Sequence, residues 1–139
     1  MSKSTLKTYI KNTADPVFAQ YIKMRDMDKH CVGECVTCGE RGFVRDLEAG
    51  HYIGRRHWSV RFNEKNVHLQ CNKCNRWGEG EKDAYALWLQ KKYGKGILAE
   101  LNRKKNQKRD YDLAKLKAMV KEWRLEMDKL AVIKGNPFV

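Results

Sequence analysis

Two cysteine pairs, Cys35-x2-Cys38 before Gly39 and Cys71-x2-Cys74 before Asn75, constrain this chain more than any other feature. Four thiolates delivered as two such pairs are the donor set of a tetrahedral zinc. A closed four-thiolate site has no open coordination position, so a zinc held there folds the chain rather than acting on a substrate. The competing reading, a redox dithiol or buried thiols, does not account for two pairs. Cys31 is left over. It could replace Cys35 as a ligand, but Cys35 has the tighter spacing, which leaves Cys31 as a free thiol.

Composition makes a staple useful. With 42% hydrophobic and 33% charged residues in 139, one domain can bury only a modest core and gains from a metal cross-link. Lys and Arg number 29 against 17 Asp and Glu, a net charge of +12. Such an excess points to a polyanion as partner. No apolar run approaches the ~18 residues that span a bilayer, and "MSKSTLKTYIKN" at the N-terminus is polar from its start. The expectation is an intracellular, cytoplasmic protein with nucleic acid rather than membrane as partner. In a reducing compartment the five cysteines read as metal ligands, not disulfides.

The chain reads as a single domain over residues 1–139 in three parts: N-terminal helices (1–30), a zinc-bound centre (31–94) and C-terminal helices (95–139). Residues 4–13 form a weak helix. A second begins with Asp15 as N-cap and Pro16 at its first position. From Cys31 to Asn75 the helical period is lost; "FVRDL" and "AGHYI" look like short strands and "SVRF" like a third. "EKDAYALWLQKKYG" returns to helix and stops at Gly94. "GILAELNRKK" and residues 111–131 follow as helices, and "KGNPFV" reads as a loose tail.

Between the cysteine pairs stand His51 on a candidate strand, Asn66 five residues before Cys71, and Asn75 directly after Cys74. This arrangement resembles the HNH or ββα-metal nucleases, in particular the zinc-stapled branch that includes endonuclease VII. "KNVHLQCNKCN" is similar to that family's N-L-x-x-L-C-x-x-C-N, with Val67 and Gln70 at the leucine positions. "LEAGHYIGRR", "VRFNEKNVHLQCNKCN" and the continuation to "KKYG" further resemble the NinG/Rap recombination proteins of lambdoid phages, over roughly residues 15–130. The resemblance implies an α+β fold: a zinc-stapled ββα-metal, treble-clef-like centre flanked by N- and C-terminal helices. It also implies metal-dependent cutting of branched recombination intermediates, Holliday junctions and D-loops, in the cytoplasm of an infected or lysogenic host. Recombination or replication proteins become candidate partners.

Residue by residue, the resemblance makes His51 the general base, Asn66 the group orienting it and Asn75 a ligand of a catalytic Mg²⁺ or Mn²⁺, with Cys35, Cys38, Cys71 and Cys74 on structural zinc. Histidine suits the base role because its free pKa, ~6.5, leaves it neutral at cellular pH; Arg55, Arg56 and a bound cation would disfavour its imidazolium. Asn66 would accept a hydrogen bond from the far ring nitrogen. One departure stands out: many relatives carry an aspartate metal ligand just before the base, and here that residue is Gly50. Glu48, His68, Glu79 and Glu81 are the candidate replacements. A non-catalytic zinc protein that binds branched DNA is the alternative the missing carboxylate keeps open.

Residues 51–76 hold six Lys and Arg against one acid, Glu64, and Arg55, Arg56, Arg61, Lys73 and Arg76 are candidate phosphate contacts. "RKKNQKR" adds Arg103, Lys104, Lys105, Lys108 and Arg109 as a second patch; a merely solvated face is the plainer reading. Trp58 and Trp77 could stack at a branch point or simply belong to the core. In the last helix Leu113, Leu116, Val120, Trp123, Met127 and Leu130 recur by three and four. That stripe packs on the domain's own helices or forms the seam of a homodimer, which would give a four-way junction two opposed cuts.

Overall fold

The computed structural model describes residues 3–108 and 111–139. The chain is α+β, with helices at both ends and four short strands between them. Helix α1 (Lys3–Tyr9) passes through a π-helical turn (Ile10–Ala14) straight into α2 (Asp15–Asp26). Asp15 is therefore not an N-cap: Ala14 before it is already helical, at φ −64°, ψ −49°. Pro16 explains the widened turn. It has no N–H to give the carbonyl four residues back and its ring crowds that carbonyl; the Asp15 N–H reaches back to Ile10 instead.

Strands β1 (Val32–Glu34) and β2 (Arg41–Phe43) pair antiparallel around the first cysteine pair. Phe43 ends β2, and Val44–Asp46 is a 3-10 turn. Strand β3 (Glu48–His51) pairs antiparallel with β4 (Val67–Gln70), in the register Glu48–Gln70, Gly50–His68, His51–Val67. The Val36 N–H donates to the Leu69 carbonyl (2.9 Å), so the first cysteine loop covers the outer edge of β4. "SVRF" is not a strand but most of the short helix α3 (Trp58–Arg61). Its alternation is met by tertiary contacts: Val60 and Phe62 are buried, and the Val60 carbonyl accepts from the Asn66 amide at 3.1 Å.

Helices α4 (Lys82–Tyr93), α5 (Ile97–Lys105) and α6 (Leu113–Lys134) complete the chain. α4 stops at Gly94 and α6 at Gly135, both at positive φ, where glycine costs least. The Asp112 side chain caps α6 by accepting from the Lys115 N–H at 2.7 Å. The stripe on α6 packs against α2: Leu116, Val120 and Trp123 are buried with Phe18, Ile22 and Phe62. Phe18 and Trp123 have ring centroids 4.7 Å apart. Most of that stripe is thus packed within the chain. The tail is docked too, with Phe138 packed on the cluster around the cysteines. Among the described residues no helix is long and apolar enough to cross a membrane.

Candidate functional site

The four cysteines of the two pairs converge, with all four sulfurs within 4.8 Å of one another. Cys38 and Cys71 Sγ are 3.8 Å apart, which is the edge of a tetrahedron with zinc–sulfur bonds of about 2.3 Å. Each loop is drawn tight by its backbone. Gly39 N–H returns to the Cys35 carbonyl at 2.8 Å, and Asn75 N–H to the Cys71 carbonyl at 3.0 Å. Cys74 N–H also points at Cys71 Sγ, at 3.4 Å. The donor set, geometry and burial fit a zinc ion. Cys31 stands outside this group.

Beside the cysteine centre an open cleft of about 680 Å³ runs along β3, between α2 and the segment after Cys74. His51, Asn75, Glu48, Glu79, Arg55 and Arg76 line it, so much of the candidate set from the sequence meets in one place. His51 Nε2 lies 2.9 Å from the Arg61 carbonyl oxygen. A carbonyl can only accept, so Nε2 carries the proton and Nδ1 is the basic nitrogen. Burial lowers the His51 pKa to about 4; the Arg61 carbonyl and Asp15 oppose that shift, and Arg55 and Arg61 add to it. Burial is the main reason that His51 is held neutral at cellular pH, with Arg55 rather than Arg56 the neighbouring guanidinium among the main causes.

Asn66 does not orient His51. Its side chain is fully buried and clamps the loop after β3, accepting from Ile53 N–H (2.8 Å) and donating to the Ile53 (2.9 Å) and Val60 (3.1 Å) carbonyls. It bears on His51 only by fixing the turn that presents the Arg61 carbonyl. Arg61 in turn is not a phosphate contact: its guanidinium pairs with both carboxylate oxygens of Asp15 on α2. Asp15 and the Arg61 backbone thus position the histidine, a pairing across 46 residues that leaves no local signal in the sequence.

His68 is not available as a metal ligand. Neighbouring strand residues face opposite sides of a sheet, and His68 pairs with Gly50, one residue off the His51–Val67 pair. His68 is fully buried, with Nε2 2.8 Å from the Tyr93 hydroxyl and its ring against Trp88. Burial holds its pKa near 3. Gly50 has no room for the missing aspartate, because Gln70 lies across it. The acid that does reach the cleft beside Asn75 is Glu48, whose carboxylate accepts from Asn75 Nδ2 at 3.0 Å and pairs with Arg76. Burial works against ionisation of Glu48, but the bonds from Arg76 and Asn75 outweigh it and hold the carboxyl below its usual range. Glu79 is exposed on the cleft rim. Glu81 packs over Gly78.

The two basic patches adjoin. Arg55 and Arg56 are exposed just before α3, and the Ser59 hydroxyl ties α3 to the end of α5 by donating to the Lys105 carbonyl at 2.8 Å. Burial, Arg56 and Lys105 together lower the pKa of His57 between them. Arg103 and Lys108 are exposed, while Lys104 and Lys105 are half-buried; Arg76 is exposed at the cleft, and Lys73 is exposed in the same turn. Arg109 lies outside the described residues.

Residues 2–132 match the family described as "Bacteriophage Lambda NinG protein". The chain belongs to the NinG family. That match takes in both cysteine pairs, the whole lining of the cleft and nearly all of α6. Among NinG relatives, the chain is 29% identical to Protein ninG of Escherichia phage lambda over 123 residues, covering 88% of this chain and 57% of that protein. It is 30% identical to Protein ninG of Escherichia phage 933W over 102 residues (73% and 48%). With Protein ninG of Salmonella phage P22 it shares 31% over 94 residues (67% and 43%). The chain thus spans about half the length of the curated relatives it matches. No solved structure matches it.

Proposed function

We propose that this chain is a zinc-stapled ββα-metal endonuclease that hydrolyses phosphodiesters in branched DNA recombination intermediates. The observation that carries the reading is His51: a neutral imidazole with its Nε2 proton committed to the Arg61 carbonyl, in a cleft shared with Asn75, Glu48 and exposed arginines. Hairpin β3–β4 followed by the π-helical turn Lys73–Trp77 supplies the ββα element, and the four cysteines hold zinc as its staple.

The chemistry follows from these groups. His51 Nδ1 takes a proton from water as the water oxygen attacks phosphorus; the bond to the 3′ oxygen breaks, and that oxygen leaves with the electron pair and takes up a proton from solvent water. Nε2 keeps its proton on the Arg61 carbonyl oxygen, so the ring becomes an imidazolium when Nδ1 takes up the second proton. Arg55 and Arg76 neutralise phosphates on either side of the cut. A divalent cation bound there would supply positive charge against the charge that develops on the scissile phosphate. Glu48 and Asn75 would hold it, with Glu48 in place of the aspartate missing at Gly50. The residues fit a hard cation: the donors are oxygens, and Gln70 Oε1, buried beside Gly50, lacks a partner among the described residues.

The second reading, a branched-DNA-binding protein that does not cut, is favoured by the Glu48–Arg76 pair, since a guanidinium there competes with a cation. One experiment separates the two. A labelled four-way junction and a matched linear duplex are incubated with wild type and His51→Ala, each with Mg²⁺, Mn²⁺ or no added divalent ion. Metal-dependent junction cleavage that His51→Ala abolishes while still binding the junction supports the nuclease. Junction binding without cutting under every condition leaves the binding protein.

A further inference from the structure

We infer that Trp77 is a stacking site for an unstacked nucleobase at a DNA branch point, an inference that rests on the branched-DNA reading above. Three of the four tryptophans are used by the fold: Trp123 is buried in the main core, Trp58 packs against that core, and Trp88 packs against His68. Trp77 is 85% exposed. An indole left in water gives up the burial that makes tryptophan useful to a core, so its place in the fold needs a reason outside the core.

The backbone holds it there firmly. Trp77 ends the five-residue π-helical turn Lys73–Trp77, which grows directly from the cysteine centre through the Asn75 N–H to Cys71 carbonyl bond. Gly78 N–H closes the turn on the Lys73 carbonyl, and Gly80 N–H on that of Cys74, both at 2.9 Å. Buried Gln70 clamps the same loop by donating to the Gly80 carbonyl at 2.9 Å. Glu79 and Glu81 both sit at positive φ, 53° and 48°, conformations that residues with side chains disfavour and keep only when their surroundings impose them. The loop is built to leave the indole outside rather than fold it in.

Position and charge name the occupant. Asn75, Arg76 and Glu79, on both sides of Trp77 in the chain, line the cleft that contains His51. Lys73 and Arg76, in the same turn, are exposed cations. An aromatic face in the same turn as two exposed basic side chains, Lys73 and the Glu48-paired Arg76, suits a base whose neighbouring phosphates carry negative charge, and stacking is tolerant of base identity. A paired base inside a linear duplex has no free face, whereas a branch point exposes one. Trp77 would therefore favour branches over duplex without reading sequence.

The test uses the full chain, zinc-loaded, without added divalent cation so that binding alone is read. Wild type, Trp77→Ala and Trp77→Phe are titrated against a four-way junction carrying 2-aminopurine at the branch point, and against a duplex with the same base. Trp77→Ala should weaken junction affinity about 10-fold or more, leave duplex affinity unchanged and abolish the 2-aminopurine response, while Trp77→Phe keeps most of both. Matching zinc content and thermal melts check that the fold is intact. Junction affinity unchanged in Trp77→Ala, or equal losses on junction and duplex, overturns the stacking role. Wild type that binds neither DNA overturns the branched-DNA reading itself, and this inference with it.

Discussion

A Cβ placed on Gly50 would stand 1.9 Å from the amide oxygen of Gln70. The two residues belong to neighbouring strands of one hairpin, and the Gln70 side chain fills the space that a side chain at position 50 would need. Gly50→Asp is therefore expected to destabilise the protein by about 2 kcal/mol or more, from overpacking and a buried carboxylate. Urea denaturation with zinc present measures this. Gly50→Asp combined with Gln70→Ala should regain part of the loss. A single mutant as stable as wild type would contradict the packing described.

Asn66 carries three hydrogen bonds from a fully buried site. Its replacement by alanine should cost on the order of 3 kcal/mol, because Ile53 and Val60 lose their partners away from water. Asn66→Asp should do no better, since a carboxylate cannot donate to the two carbonyls. Equilibrium unfolding decides, and a loss under about 1 kcal/mol would mean that the loop finds other partners.

The cysteine centre should bind one zinc per chain and hold the fold with it. Chelation should release that zinc together with the tertiary structure, and Cys71→Ser or Cys74→Ser should do the same, since both thiols are buried in the cluster. Cys31→Ser should keep the full zinc content because Cys31 is not in the group. Elemental analysis and near-ultraviolet circular dichroism, taken together, test this. Retained structure after complete zinc removal would rule out the staple.

Burial lowers His51 to about 4 and His68 to about 3, against ~6.5 in an unfolded chain. Unfolding therefore takes up protons between those values. The stability these residues supply is complete above pH ~6.5 and is lost as pH falls toward 4 for His51 and 3 for His68. For His51 the full effect is on the order of 3 kcal/mol. Acid also weakens zinc binding by protonating thiolates, so the comparison that matters is between variants. His51→Asn should show a shallower loss of stability from pH 7 to 4 than wild type, measured by urea midpoints. Parallel profiles would mean that His51 is not held neutral by the fold.

The secondary structure was legible where local chemistry decides it. Gly94 and the turn of period at Lys82 mark α4, and the stripe on α6 marks a buried face. It was not legible at "SVRF", whose alternation suits a strand but whose carbonyl and apolar side chains are met by Asn66 and the core in a short helix. At Asp15 the rule for caps misled, because Pro16 widened a continuing helix instead of starting one.

The site divides along the same line. Sequence alone picked out the four cysteines that the fold brings together as a donor set fit for zinc, since two cysteine pairs at that spacing are a nearly sufficient description of such a set. The resemblance to the ββα-metal nucleases also brought His51 and Asn75 forward, and the local charge the arginines, as residues suited to phosphate chemistry. Only the tertiary structure decided what each one touches: that Arg61 offers its carbonyl to His51 while its guanidinium is bound by Asp15, that Asn66 clamps a loop, that His68 faces away, and that Glu48 rather than residue 50 brings a carboxylate beside Asn75. Ligand identity is local chemistry written in spacing. The direction of a side chain depends on strand register and on partners many residues distant, which no short stretch of sequence encodes.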